Sequence, residues 1–199
     1  MANFDHFNII GPIYDYVFGR NRDHKIVALA EVQQSHSVLD VGGGTGRVTM
    51  LFRPITDKIV IADTAVRMLR EAQSKGVRGV NAESEQLPFL SQTFDRIIMV
   101  DALHHVQDQQ KTLEEMWRVL APGGMMIVEE PDIRKLVVKL IALAEKVLLM
   151  RSHFLSPEKI AEMCHSISGA EAEIVREGGN AWIMIERKKC TVRAGDLNG

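Results

Sequence analysis

The stretch that most limits what this chain can fold into is Ser37-Val38-Leu39-Asp40-Val41-Gly42-Gly43-Gly44-Thr45-Gly46-Arg47. A short apolar run ends in an acid and is followed at once by four glycines in five positions. From Arg47 the apolar spacing turns helical, with Val48, Leu51 and Phe52. Strand, glycine turn and helix, in that order, open a nucleotide-binding βαβ unit. Glycines at such a turn reach backbone angles closed to other residues and let a ligand come close to the main chain. A second apolar run, Ile59 to Ala62, ends on Asp63, where a carboxylate can accept both hydroxyls of a ribose. The plain alternative is a tight turn without a ligand. Four clustered glycines and an acid closing the next strand argue against it.

The spacing also says which nucleotide is expected. The dinucleotide fingerprint G-x-G-x-x-G requires a small residue at its last position. Counted from Gly42 that position holds Arg47, and counted from Gly44 it holds Thr49, so both registers fail. No Gly-Lys-Ser/Thr follows, which excludes the Walker phosphate loop. The pattern present is D-x-G-x-G-x-G, as Asp40, Gly42, Gly44 and Gly46. In this the sequence resembles the class I S-adenosylmethionine-dependent methyltransferases, whose first motif has this form. The resemblance implies S-adenosylmethionine as cofactor, S-adenosylhomocysteine as product, and Asp40, Gly42, Gly43, Gly44, Gly46 and Asp63 as cofactor-binding residues.

The length of 199 residues with 46% hydrophobic content suits a single globular domain. A net charge of −2 supplies no basic field for nucleic acid. The two cysteines, Cys164 and Cys190, are too far apart to read as a metal cluster or redox pair, and are simplest as reduced thiols in a cytoplasmic protein. No charged-then-apolar leader opens the N-terminus, so no signal peptide is expected. Ile133 to Met150 is the most apolar long stretch, but Arg134, Lys135, Lys139, Glu145 and Lys146 interrupt it, so it does not read as a membrane span.

Taken in order, the chain carries further segments that match the same family. Phe7-Asn8-Ile9-Ile10-Gly11-Pro12-Ile13-Tyr14-Asp15 resembles the F-D-x-I-A-x-x-Y-D entry segment of the quinone-biosynthesis methyltransferases. That likeness implies a segment closing over the cofactor, with Tyr14 nearest the methyl group; a packing helix is the equal alternative. After Asp63, Thr64 is placed to cap a helix carrying Val66, Met68, Leu69 and Ala72. Met68 reads as either core or adenine contact. Asn81-Ala82-Glu83-Ser84-Glu85-Gln86-Leu87-Pro88-Phe89 resembles the G-D-A-E-x-L-P-F segment that holds the adenine. Asn81 stands where that segment has Asp, and its amide oxygen can still accept from an amino group. The main chain at Ala82 and Glu83 can serve whatever the side chain.

Phe94 to Val100 reads as a central strand buried on both faces. It runs into Asp101-Ala102-Leu103-His104-His105, which looks like the family's A-L-H-H segment after the fourth strand. Ligands of open α/β sheets bind beyond the carboxyl ends of the strands, which puts Val100 and Asp101 beside the cofactor's sulfonium end. Tyr14, Asp101, His104 and His105 are the catalytic candidates; for each histidine a hydrogen-bonded structural role is the competing reading. Trp117-Arg118-Val119-Leu120-Ala121-Pro122-Gly123-Gly124 resembles the R-V-L-K-P-G-G turn ahead of a fifth strand, Met125 to Glu129. Ser156-Pro157 starts a helix to about Ser168, with His153 and Phe154 before it facing the pocket. Two last strands flank Gly178-Gly179-Asn180 as an antiparallel hairpin.

The expectation is therefore an α/β protein with a Rossmann-like, seven-stranded, mostly parallel sheet, an antiparallel last hairpin and helices on both faces. Residues 1–35 are expected as N-terminal cap helices over the cofactor site and 36–190 as the methyltransferase core. Within the core, 132–156 is a lid or substrate-covering helix, and 191–199 is a frayed tail. The helix over 133–150 has a broad apolar surface, open to core packing, a lid, a homodimer contact or a membrane-surface contact. No metal ligands are expected. The expected reaction is C- or O-methylation of a small apolar or aromatic acceptor. No Asn/Asp-Pro-Pro-Tyr/Phe follows the fourth strand, which argues against amino-methylation of adenine or glutamine. A non-catalytic cofactor-binding subunit is the alternative, and a nicotinamide oxidoreductase conflicts with the glycine spacing.

Overall fold

A computed structural model describes residues 22–132, 134 and 153–189. Tyr14 and the rest of the entry segment, Cys190, the tail, and all but Arg134 of the stretch 133–150 lie outside the described residues. The fold is set by two strands whose residues leave no polar face. β1 (Val38–Val41) is buried at every position, and β4 (Phe94–Val100) is buried or nearly so throughout. Such strands are stable only with helices on both faces and strands on both edges. β1 accordingly lies between β2 (Ile59–Asp63) and β4, parallel to each. β3 (Arg78–Asn81) adds parallel to β2, and β5 (Leu120–Pro131) parallel to β4.

The hairpin of β6 (Glu173–Glu177) and β7 (Asn180–Glu186) closes the sheet. β7 inserts between β5 and β6, antiparallel to both, and the order is β3-β2-β1-β4-β5-β7-β6. The seven-stranded mixed sheet expected from the sequence is the one observed.

One face carries Leu39, Val41, Ile97, Met99, Met126, Val128 and Ile183, packed with Leu113 and Met116 of α4 (Gln109–Val119) and Ile160 and Cys164 of α5 (Pro157–Ser168). The opposite face carries Val38, Ile98, Ile127, Trp182 and Met184 under Ile26 and Ala30 of α1 (Arg22–Ala30) and Phe52 of the short α2 (Thr49–Phe52). α1 thus packs on the sheet, where the buried Arg96 of β4 donates from Nε to the carbonyl of Ala30 at 2.7 Å. α3 (Val66–Ser74) closes over β2 with Leu69 and Ala72. A fully buried apolar side chain contributes roughly 1.5–3 kcal/mol, so the double-sided core dominates stability.

Two local expectations change. Thr64 does not cap α3: the helix begins at Val66 with Ala65 at the capping position and no side-chain cap, and Asp63 instead accepts the N–H of Ala65 at 2.7 Å. An acid can bond the main chain two residues on in this way. The Pro122-Gly123-Gly124 segment is not a turn outside the sheet. β5 already starts at Leu120, and the register against β4 shifts there, with Gly123 at φ 82°. Ala121 to Gly124 are passed over in the pairing with β4, which resumes at Met125, where the sequence places the strand's start.

Candidate functional site

Strand order reverses between β1 and β4, where one connection leads toward β2 and the other toward β5. A crevice opens at such a point, outside the carboxyl ends of the strands. Three loops meet there, those after β1, β2 and β4.

The loop after β1 is the glycine turn. Gly42 has φ 71° and Gly44 φ 54°, both in the region that favours glycine. A Cβ on Gly42 would lie 2.6 Å from the Cβ of Ala102, so the turn seats directly on the loop after β4. A Cβ on Gly44 would lie 3.3 Å from Sδ of Met68 and 3.9 Å from Oδ2 of Asp63. Gly44 therefore faces the gap between an acid and a thioether. Gly46, at φ 80°, returns the chain into α2 by donating its N–H to the carbonyl of Gly43.

Asp40 lies beneath the turn and is 1% exposed. Its Oδ2 accepts the hydroxyl of Thr49 at 2.5 Å, and a Cβ on Gly43 would touch its carboxyl carbon at 2.7 Å. Burial pushes the Asp40 carboxyl up from 3.8 to about 7, against the lowering effect of the Thr49 hydroxyl. Asp63 ends β2 half-buried, with Oδ2 accepting the N–H of Gly44 at 2.9 Å and Oδ1 the N–H of Ala65 at 2.7 Å. A carboxylate offers about four lone-pair sites, so two hydroxyls can still be accepted. Met68 is 44% exposed beside it.

The segment after β3 is fastened to this centre. Asn81 donates both amide hydrogens to main-chain carbonyls, of Asp63 at 3.0 Å and Thr64 at 2.9 Å, which leaves only its carbonyl oxygen for a ligand. Ala82 donates its N–H to the carbonyl of Asp63 at 3.2 Å, and the exposed Glu83 turns the chain by accepting from Gln86. Glu85, to which the sequence assigned no role, accepts the N–H groups of Gln107 and Asp108 at 3.0 and 3.1 Å. It ties the adenine-type segment to the start of α4.

After β4, the half-buried Val100 leads to Asp101, whose φ of 50° is unusual for a residue with a side chain. Its N–H donates to the carbonyl of Glu129 at 3.0 Å. The 3-10 turn Leu103–His105 follows and separates the two histidines. His104 is buried, 2% exposed, while His105 is exposed. Desolvation, then the neighbouring His104, lowers His105 to about 4, with Asp101 opposing, so its ring is neutral at neutral pH. A neutral imidazole can accept a proton or a hydrogen bond. The main chain of His153 reaches the turn, its N–H donating to the carbonyl of His104 at 2.7 Å, and Phe154 stacks on the His104 ring.

The sequence profile of the methyltransferase domain family matches residues 39–128, from β1 into β5. These residues are thus similar to a methyltransferase domain. The ubiquinone/menaquinone biosynthesis C-methyltransferase UbiE of Pasteurella multocida is 40% identical over 142 residues, covering 62% of this chain and 53% of that protein. Its counterpart from Escherichia coli K12 is 41% identical over the same length, covering 62% and 57%. The chain thus spans little more than half the length of the curated relatives it matches. Among solved structures, a SAM-dependent methyltransferase from Thermotoga maritima superposes with a TM-score of 0.74 at 21% identity, covering 93% of this chain and 98% of the other. The YcgJ protein of a Bacillus gives 0.69 at 24% identity over 77% and 70%. At such identities these structures speak for the fold alone.

The likeness to methyltransferases implies S-adenosylmethionine as cofactor. The residues present fit it. An acceptor-only carboxylate suits a ribose diol, a glycine without side chain leaves the gap beside Met68 open, and a buried acid lies under the loop that meets the cationic end. Among the described residues no group of His, Cys, Asp and Glu is arranged to hold a metal ion, and no helix is long and apolar enough to cross a membrane.

Proposed function

We propose that this chain transfers a methyl group from S-adenosylmethionine to ring carbon of a small aromatic acceptor of the quinol type, in the cytoplasm. One observation carries the reading: the glycine turn, Asp63 and the His105 turn converge at the ends of β1, β2 and β4. The likeness to the ubiquinone/menaquinone C-methyltransferases supports carbon as the atom methylated; oxygen is the nearest competitor. Bound there, S-adenosylmethionine supplies a methyl carbon already activated by its sulfonium. The chain's own part is to bind, align and move one proton.

Asp63 accepts the ribose hydroxyls, and Gly42, Gly43, Gly44 and Gly46 leave the main chain open to the amino-acid end. Asp40 supplies negative charge beneath that end. Met68 lies against the adenine, whose edge meets the carbonyl of Asn81 and the main chain of Ala82 and Glu83, with Thr64 and Val100 completing the wall. Asp101 holds charge beside the sulfonium. A phenolic or ring-carbon acceptor must lose a proton, and His105, neutral and exposed, takes it. His104, buried and bonded, supports the turn. Tyr14 would close the site from the entry segment.

The test is a turnover assay with methyl-labelled S-adenosylmethionine and a set of quinols lacking one ring methyl, beside phenols of similar size. Label appearing on ring carbon of a quinol supports the proposal, and label on phenol oxygen moves it to O-methylation. Binding of S-adenosylhomocysteine without transfer to any of them would replace it with a non-catalytic cofactor-binding subunit.

A further inference from the structure

The turn that bears His105 is set by a carboxylate remote in sequence. Leu103–His105 spans a single 3-10 turn, and its closing bond, from the N–H of Val106 to the carbonyl of Leu103, is long at 3.4 Å. The other bond of the turn, from the N–H of His105 to the carbonyl of Ala102, is 3.1 Å, and two such bonds alone hold a short 3-10 turn only loosely. Glu130, near the end of β5 with its side chain 4% exposed, supplies what is missing. Its Oε1 accepts the N–H of Leu103 at 2.8 Å, and its Oε2 meets Nδ1 of His104 at 2.5 Å. Charge-assisted bonds of this length inside a protein are strong and directional.

The ring so held is packed on both sides. It stacks on Phe154 with centroids 4.2 Å apart and planes 17° apart, and lies 4.0 Å from the ring of His105. Gln109 braces the outer side, donating from Nε2 to the carbonyls of Leu103 at 3.0 Å and His153 at 2.7 Å. His105 donates its own N–H to the carbonyl of Ala102 at 3.1 Å, while the ring it packs against, that of His104, is oriented by Glu130.

We propose that Glu130 is a positioning residue of the acceptor site, acting through the Leu103 main chain and the His104 ring to fix where the His105 imidazole stands. The inference rests on His105 lying in the acceptor site. It predicts that loss of the Glu130 carboxylate loosens the turn, shifts the His105 ring relative to His104 and leaves the cofactor loops unchanged.

The titration of the histidine ring protons by NMR reads this without any acceptor. Among the described residues the charged groups that act on His105 are His104 and Asp101, and desolvation is the larger influence. In the unmodified protein His105 should titrate near 4; in Glu130→Gln it should move a unit or more toward its ordinary value of 6.5. Affinity for S-adenosylhomocysteine should not change. A folded Glu130→Gln whose His105 titrates as before overturns the proposal.

A second measurement needs no variant. Nδ1 of His104 should carry a slowly exchanging, far-downfield proton, as a short bond to a carboxylate requires; a His104 ring without a proton on Nδ1 overturns the proposal equally. Failure of the acceptor-site reading looks different: His105→Gln would then keep full turnover while the Glu130→Gln titration still shifts.

Discussion

On the cofactor side, Gly42, Gly44 and Asp63 build their geometry from main chain: two positive φ angles and two N–H groups accepted by one carboxylate. On the acceptor side, the His105 turn is held by side chains from far along the sequence, Glu130 and Phe154, with Gln109 from the next helix. The first region is rigid because no other residue fits; the second is held because several residues agree. The difference teaches where each should fail. A single change at a glycine should destroy the first region, whereas changes on the second should alter turnover and spare binding.

The largest effect is expected at Gly42→Val. A β-branched residue at φ 71° with its Cβ 2.6 Å from Ala102 must move the loop. Strain of about 1–2 kcal/mol from the backbone and a further 1–3 from overpacking should lower the melting temperature and abolish S-adenosylhomocysteine binding in calorimetry. Next comes His105→Gln. Removing a general base costs about 10²- to 10⁴-fold in rate, and a labelled-methyl assay should show that loss with cofactor affinity unchanged. A parallel loss of affinity would erase the separation between the two regions.

How much of this was legible follows the same division. The glycine turn and Asp63 stood out in the sequence because backbone requirements leave a local residue signature, and β3, β4 and α5 matched their expected positions for similar local reasons. Glu85 and Glu130 were invisible as site residues. Their partners lie across the fold, and an acid in a strand or loop carries no mark of the N–H groups it will accept. Thr64 misled because the helix starts one residue later than its hydroxyl suggests, with Ala65 at the capping position. The length of β5 was missed because Pro and Gly signal turns more strongly than they signal a strand.

Smaller effects sharpen the comparison. Asp63→Ala should weaken S-adenosylhomocysteine binding by about 10-fold or more, the equivalent of a lost charged hydrogen bond, and lower stability by about 1 kcal/mol through the freed N–H groups of Gly44 and Ala65. Asp40 predicts a pH dependence. Its folded pKa is raised, from 3.8 to about 7, so the stability it favours is present below about pH 4 and is lost as pH rises through 7. The ammonium of a ligand's amino-acid end favours the ionised form, so S-adenosylhomocysteine affinity should rise from pH 6 to 8 and level off above it. Asp40→Asn should flatten that slope; a slope kept in the variant would assign the proton elsewhere. The mildest change is Met68→Ala, for which a few-fold loss of affinity is expected, since an exposed thioether contributes one face of contact.

The most direct test of the whole account is calorimetric titration of the unmodified chain with S-adenosylhomocysteine, with NADH in parallel. Micromolar binding of the homocysteine compound, about −8 kcal/mol, with none of NADH, is the result predicted by a glycine turn and Asp63 built as described. Binding of NADH, or of neither compound, would contradict it.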